Sequence, residues 1–247
     1  MLAFDHDQRP DGAAFLRAVD QLADVAVTLD RTTALPTIST EGCNNILWLE
    51  LCRDGLTFDC TGLAPGRAHE LPSDATWFGE GADRPDAGMP CIGLTLGPHL
   101  RGGQSSPTIF RSLAQLASDF AGTLRGCRSV CWTASGAVID RPAFVDAIQR
   151  WTEGGPIPAR FFISVRSSPD GMTETFGLAY FTGQELLVDR TVCAGDRAET
   201  DRLALRIAEQ MMYRGTLAEP EHLVSTAGLP LSLQPTPDGR LVRVLAG

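Results

Sequence analysis

The fold turns on how 91-CIGLTLGPHLRGGQSSPTIFRSLAQLASDF-120 is read. Residues 91–96 form a short apolar run, long enough for a buried strand. From Ile109 onward, Leu113, Leu116 and Phe120 recur at three- and four-residue intervals, which places them on one face of a helix over about 107–124. Ser106 is placed to cap that helix. Pro107 suits its first position, where a backbone N–H has no partner to lose. The segment is therefore a strand, a glycine-rich connection and a helix.

Working outward, Gly126 ends the helix and 128-RSVCWT-133 reads as the next strand. A second helix follows over about 141–152, with Phe144, Ile148 and Trp151 on one face, and Gly154-Gly155-Pro156 stops it. Toward the N-terminus, Phe15, Val19 and Leu22 mark a helix over about 12–24 that Asp11 can cap. The runs 45–52 and 55–63 flank Asp54-Gly55, a hairpin signal because glycine accepts positive φ cheaply. Toward the C-terminus, strands are expected at 160–167, 173–181 and 185–189. Asp196 and Glu199 open a long helix whose stripe is Leu203, Ile207 and Met211, and a hairpin around Asp238-Gly239 closes the chain. The class is α+β: a largely antiparallel sheet with helices on one face, including two βα units in the middle of the chain. A right-handed crossover is expected to give the first unit one parallel neighbour. Residues 64–90 are rich in proline, glycine and acids and read as a long surface loop. That suggests a division into 1–88 (helix, hairpin and loop) and 89–247 (an α+β domain), with the first part packed into the same domain or apart from it.

The chain carries 30 acidic and 21 basic residues, a formal charge of −9, and every basic side chain is arginine. An acidic surface with scattered arginines repels phosphate backbones, so no nucleic-acid partner is expected. No apolar run approaches the ~18 residues of a membrane span. The seven cysteines show no regular spacing, so reduced thiols in a cytoplasmic protein are expected. Cys127 and Cys131 lack a second pair or a nearby histidine, so no metal is expected, and nothing calls for a cofactor.

The connection at 97–107 is also the leading candidate site. Arg101 supplies a charge. Gly102 and Gly103 allow close backbone approach, and Ser105 and Ser106 offer hydroxyls beside the free amides of a helix start, which attract anions. His99 can donate or accept a proton, which suits acid–base work. The stretch has neither P-loop nor dinucleotide-fingerprint order, so the plainer reading is a capped strand–helix connection. Glu185, in 180-YFTGQEL-186, is a second catalytic candidate; the plainer reading there is a solvated turn. Ser135-Gly136 lacks the surroundings of a nucleophile elbow.

Three stretches, 97-GPHLRGG-103, 131-CWTASGAVIDRPAF-144 and 177-GLAYFTGQELLV-188, resemble a bacterial family catalogued as domain of unknown function 4261, over about residues 90–245. The resemblance implies a cytosolic bacterial α+β domain. It brings no catalytic role with it. Two functions follow as expectations. One is a non-enzymatic binding or interaction module for a small anionic ligand or a protein partner. The other is a hydrolase or transferase acting on an anionic small molecule at 97–107.

Overall fold

Two residues set the geometry of the first hairpin. Asp54 and Gly55 both take positive φ, 52° and 75°. That turn matches the right-handed twist of its flanking strands, β3 (Trp48–Arg53) and β4 (Leu56–Thr61), which pair antiparallel from Arg53↔Leu56 to Trp48↔Thr61. The computed structural model describes residues 1–28, 46–79, 86, 88–168, 170–193, 195–225 and 228–247. Asn45, Cys43 and Pro169, which figure in the expected strand, thiol set and turn, lie outside them.

The chain divides into two units, Met1–Thr133 with Val138–Pro156, and Ala134–Ala137 with Ile157–Gly247. In the first unit the opening stretch folds as expected, with β7 at Pro90–Leu96 and α2 at Pro107–Thr123. Its sheet also contains β1 (Leu2–Phe4), β2 (Val25–Thr28), β5 (His69–Glu70), β6 (Thr76–Phe78), β8 (Cys127–Trp132) and β9 (Ala137–Asp140). The order is β2-β3-β4-β7-β1-β8-β9-β6, with β5 also paired to β7. β1 is antiparallel to both β7 and β8, so those two strands run parallel with β1 between them. The expected direct parallel neighbour is thus displaced by the N-terminal strand. Residues 2–78 and residue 90 onward share this one sheet, so the division suggested at 88 falls inside it and the chain separates near residue 156 instead.

Side-chain alternation assigns the faces. Leu2, Ile92 and Val130 are buried on the face carrying α2 and α3 (Arg141–Thr152), where Phe110 meets Trp132 and Trp151 at 5.5 Å. Helix α1 (Gly12–Val19) is shorter than its periodicity suggested, and its Phe15 ring stacks on Phe120 of α2 at 4.5 Å. On the opposite face, Ala3, Cys91, Cys131 and Val138 are sealed by Leu71 and Met89, with Trp77 packed against them. The stretch expected to be a surface loop therefore packs against this face: its few apolar residues are spaced to reach the core rather than to make a periodic element.

The second unit has its own sheet, in the order β10-β11-β12-β15-β14-β13. Its strands are Ser164–Ser167, Thr173–Phe176 and Glu185–Val188 (β10–β12), then Glu221–Val224, Pro230–Pro235 and Leu241–Ala246 (β13–β15). All its pairs are antiparallel except β12 with β15. Helix α6 (Arg197–Arg214) buries Leu203, Ile207 and Met211 as its stripe requires, and the Asp196 carboxylate accepts from Glu199 N. Two expected strands are cut short. Residues Ala159–Phe162 (α4) and Ala179–Thr182 (α5) each form one helical turn. Gly177 forces the second break: its φ is 99°, and a Cβ there would lie 2.5 Å from the Phe162 carbonyl oxygen. The fold is α+β with mostly antiparallel pairing, as its sequence implies, but in two sheets rather than one. Among the described residues no helix is long and apolar enough to cross a membrane.

Candidate functional site

The 97–107 connection is a 3-10 turn, Pro98–Gly103, running directly into α2. His99, Arg101, Gly102 and Ser105 are exposed, and Gly103 and Ser106 are half-buried. The Ser106 hydroxyl does not cap α2, contrary to its position in sequence. A Cβ on Gly103 would sit 3.0 Å from Ile109 Cδ1, so an apolar side chain occupies the space over that glycine. His99 Nε2 is 3.1 Å from Thr57 Oγ1 on β4, which turns the imidazole toward the sheet rather than the helix start. Three clefts bounded by described residues include none of residues 97–107.

Glu185 is a half-buried, fully engaged carboxylate rather than a solvated turn residue. Its carboxylate accepts from Gly177 N (2.8 Å), Ala179 N (3.0 Å), Leu178 N (3.2 Å) and Thr175 Oγ1 (2.7 Å). Burial pushes its pKa above the ordinary value, and those four donors pull the other way. It holds the start of α5 in place. Next to it, the buried Gln184 amide pairs with both backbone groups of Leu217, donating at 3.0 Å and accepting at 2.8 Å.

A grouping of titratable side chains lies on the face of β2-β3-β4-β7 turned away from α2. Cross-strand register places Thr28, Glu50, Asp59 and Thr95 in one row. Trp48 and Thr61 lie opposite each other in the row on one side, Cys52 and Thr57 in the row on the other. Glu50 accepts from Thr28 Oγ1 at 2.6 Å. Asp59 Oδ1 is buried without a hydrogen-bond partner among the described residues. Burial, and then the Glu50 carboxylate, push the Asp59 carboxyl above its ordinary value, while the Trp48 indole, Arg101 and His99 pull it back. The first candidate histidine and arginine thus lie within electrostatic reach of Asp59. His69 closes the other end, with Nε2 2.8 Å from Thr61 Oγ1. Its ring lies over two glycines: a Cβ on Gly62 would be 2.8 Å from His69 Cδ2, and one on Gly93 would be 3.1 Å from Nε2. Burial, then the amino terminus and Arg9, hold its pKa below the ordinary value.

Sequence reasoning passed over Glu50, Asp59, Trp48 and His69. The signal was present in 48-WLELC-52 and 57-TFDCT-61, where one parity is apolar and buried and the other carries Glu50, Thr57, Asp59 and Thr61 beside Trp48 and Cys52. Among the described residues no group of three or more His, Cys, Asp or Glu is placed to hold a metal ion. No family model, curated protein or solved structure matches the chain.

Proposed function

We propose that this is a non-enzymatic binding module and that its partner docks on the open face of β2-β3-β4-β7. The observation that carries the reading is Asp59. Among the described residues its Oδ1 is buried and unpartnered, beside a second carboxylate. An unmet buried acceptor costs about 1–3 kcal/mol, which an incoming donor recovers. The group that completes this face donates hydrogen bonds and carries positive charge, and the net charge of −9 favours the same sign. A strand face open to solvent suits a basic side chain of a protein partner better than an enclosed metabolite. The module acts in the bacterial cytosol on this reading. The six described cysteines are free, and burial holds the thiols of Cys60, Cys91, Cys127 and Cys131 above their ordinary pKa, as expected of inert core thiols.

Calorimetric titration with a short arginine-rich peptide tests the reading, with a glutamate-rich peptide as control. Saturable binding that weakens with salt, and falls at least about tenfold in Asp59→Asn, is expected. Absence of saturable binding, or equal affinity in the variant, defeats it. The other reading, a hydrolase or transferase acting on an anionic small molecule, uses His99 as acid–base with Arg101 and the loop amides holding charge. It is disfavoured because Asp59 lies within electrostatic reach of both side chains.

A further inference from the structure

A second feature lies away from this face. The segment joining β1 to α1 runs against the C-terminal end of α2 and leaves an open cleft of about 570 Å³ between them. Its walls are fixed by backbone. Asp5 N donates to Gly126 O at 3.2 Å, and Ala64 N donates to Pro10 O at 2.9 Å. Gly126 has φ 75°, and a Cβ there would fall 2.3 Å from Gln8 Cβ, so the two segments meet with no room for a side chain.

Three arginines line the cleft: Arg9, Arg17 and Arg125. Arg9 is half-buried and held by two carbonyls, Nη1 to Gly62 O at 2.5 Å and Nη2 to Gly66 O at 2.8 Å. Carbonyls fix a guanidinium without neutralising it. Arg17 and Arg125 are exposed, and neither guanidinium has a hydrogen bond or ion pair to a described residue. Some other arginines answer carboxylates, as Arg53 does with Asp24 and Asp119 and Arg214 with Glu221. Two acids also line the cleft: Asp11, which caps α1 by accepting from Ala14 N at 2.7 Å, and the exposed Asp7, so the arginines outnumber the carboxylates by three to two. Like charges brought to one cleft repel, and an anion between them reverses the sign of that interaction. The volume falls within the ~300–1,000 Å³ typical of small-molecule sites.

We propose that this cleft is a binding site for a small polyanion, held by Arg9 from a fixed position and closed upon by Arg17 and Arg125. Guanidinium forks match phosphate and carboxylate oxygens alike, so the shared chemistry is a compact group of clustered negative oxygens. The site shares no residue with the acidic sheet face, and its test is independent of that one.

The test is calorimetric titration of the full chain at constant ionic strength with inorganic pyrophosphate and, separately, citrate; sodium chloride serves as the control. One saturable site for at least one of the two is expected, weakened about tenfold or more in Arg17→Ala and in Arg125→Ala. Both substitutions are at exposed positions, and circular dichroism confirms that each variant is folded. Arg128→Ala, which removes an exposed pair with Asp5 outside the cleft, leaves affinity unchanged. Pyrophosphate binding alone assigns the site to phosphorylated ligands, and citrate binding alone to polycarboxylates. Saturation by neither, or affinity unaltered in both Arg17→Ala and Arg125→Ala, overturns the proposal.

Discussion

Replacing Glu185 by alanine removes one acceptor from four donors at once. Three are backbone amides, Gly177, Leu178 and Ala179, and the fourth is the Thr175 hydroxyl. Thr175 and Leu178 are fully buried, so water does not readily replace the carboxylate at those two. Each stranded donor costs about 1–3 kcal/mol, but Ala179 is half-buried and the helical turn relaxes. The desolvation that raises the Glu185 pKa is also relieved when the group is removed. The net expectation is a loss of about 3–5 kcal/mol, near the upper limit for a single substitution. Glu185→Gln keeps one acceptor oxygen but turns an NH2 toward the remaining donors, so about half of that loss is expected. Urea denaturation followed by far-UV circular dichroism gives the free energies. Hydrogen exchange at the Gly177–Ala179 amides gives the local effect, which is faster exchange in the alanine variant. A loss under about 1 kcal/mol with exchange unchanged refutes the capping role and returns Glu185 to the pool of functional candidates.

Arg53→Met breaks two ion pairs of a side chain that is 8% exposed, to Asp24 at 2.5 Å and Asp119 at 2.6 Å. The two acids are about half and one-third exposed and recover water, so the expected loss is about 2–3 kcal/mol rather than the 3–5 of a fully buried pair; chemical denaturation showing under about 1 kcal/mol contradicts this. Asp59→Asn tests the raised carboxyl. With the folded pKa above the unfolded value of ~3.9, the proton on Asp59 favours folding. That contribution is complete below the unfolded value and disappears as pH rises through the folded one. The amide variant therefore gains on the parent as pH rises through the acid range, and a difference in unfolding free energy independent of pH rules the assignment out. His99→Ala removes an exposed ring hydrogen-bonded to an exposed hydroxyl, and its unfolding free energy should stay within about 0.5 kcal/mol of the parent; a larger loss means that the imidazole supports the fold.

The two-residue turn at Asp54-Gly55 had a consequence that local reading does not draw. Once residues 53 and 56 pair, residue 50 must face residue 59, so the carboxylate pair follows from counting outward. What counting does not reveal is which parity faces the helices, or that β2 and β7 extend the row to Thr28 and Thr95. His69 was illegible as a site residue, because the two glycines beneath its ring lie on different strands. The helical turns at 159–162 and 179–182 were also hidden. Their aromatic residues read as strand; at 179–182 a half-buried carboxylate eight residues downstream of Gly177 holds the helical turn instead.

Local periodicity and turn chemistry by themselves determined the elements whose stripes exceed two helical turns, the hairpins, and the α+β class. Those features depend on neighbours within a few residues and on backbone freedom at single positions. Tertiary structure alone decided that β1 threads between β7 and β8, that the chain forms two sheets, and that Arg9, Arg17 and Arg125 meet at one cleft. Such outcomes come from pairings dozens of residues apart. They are selected by whole-sheet burial and hydrogen-bond completion, quantities that no short window of sequence contains.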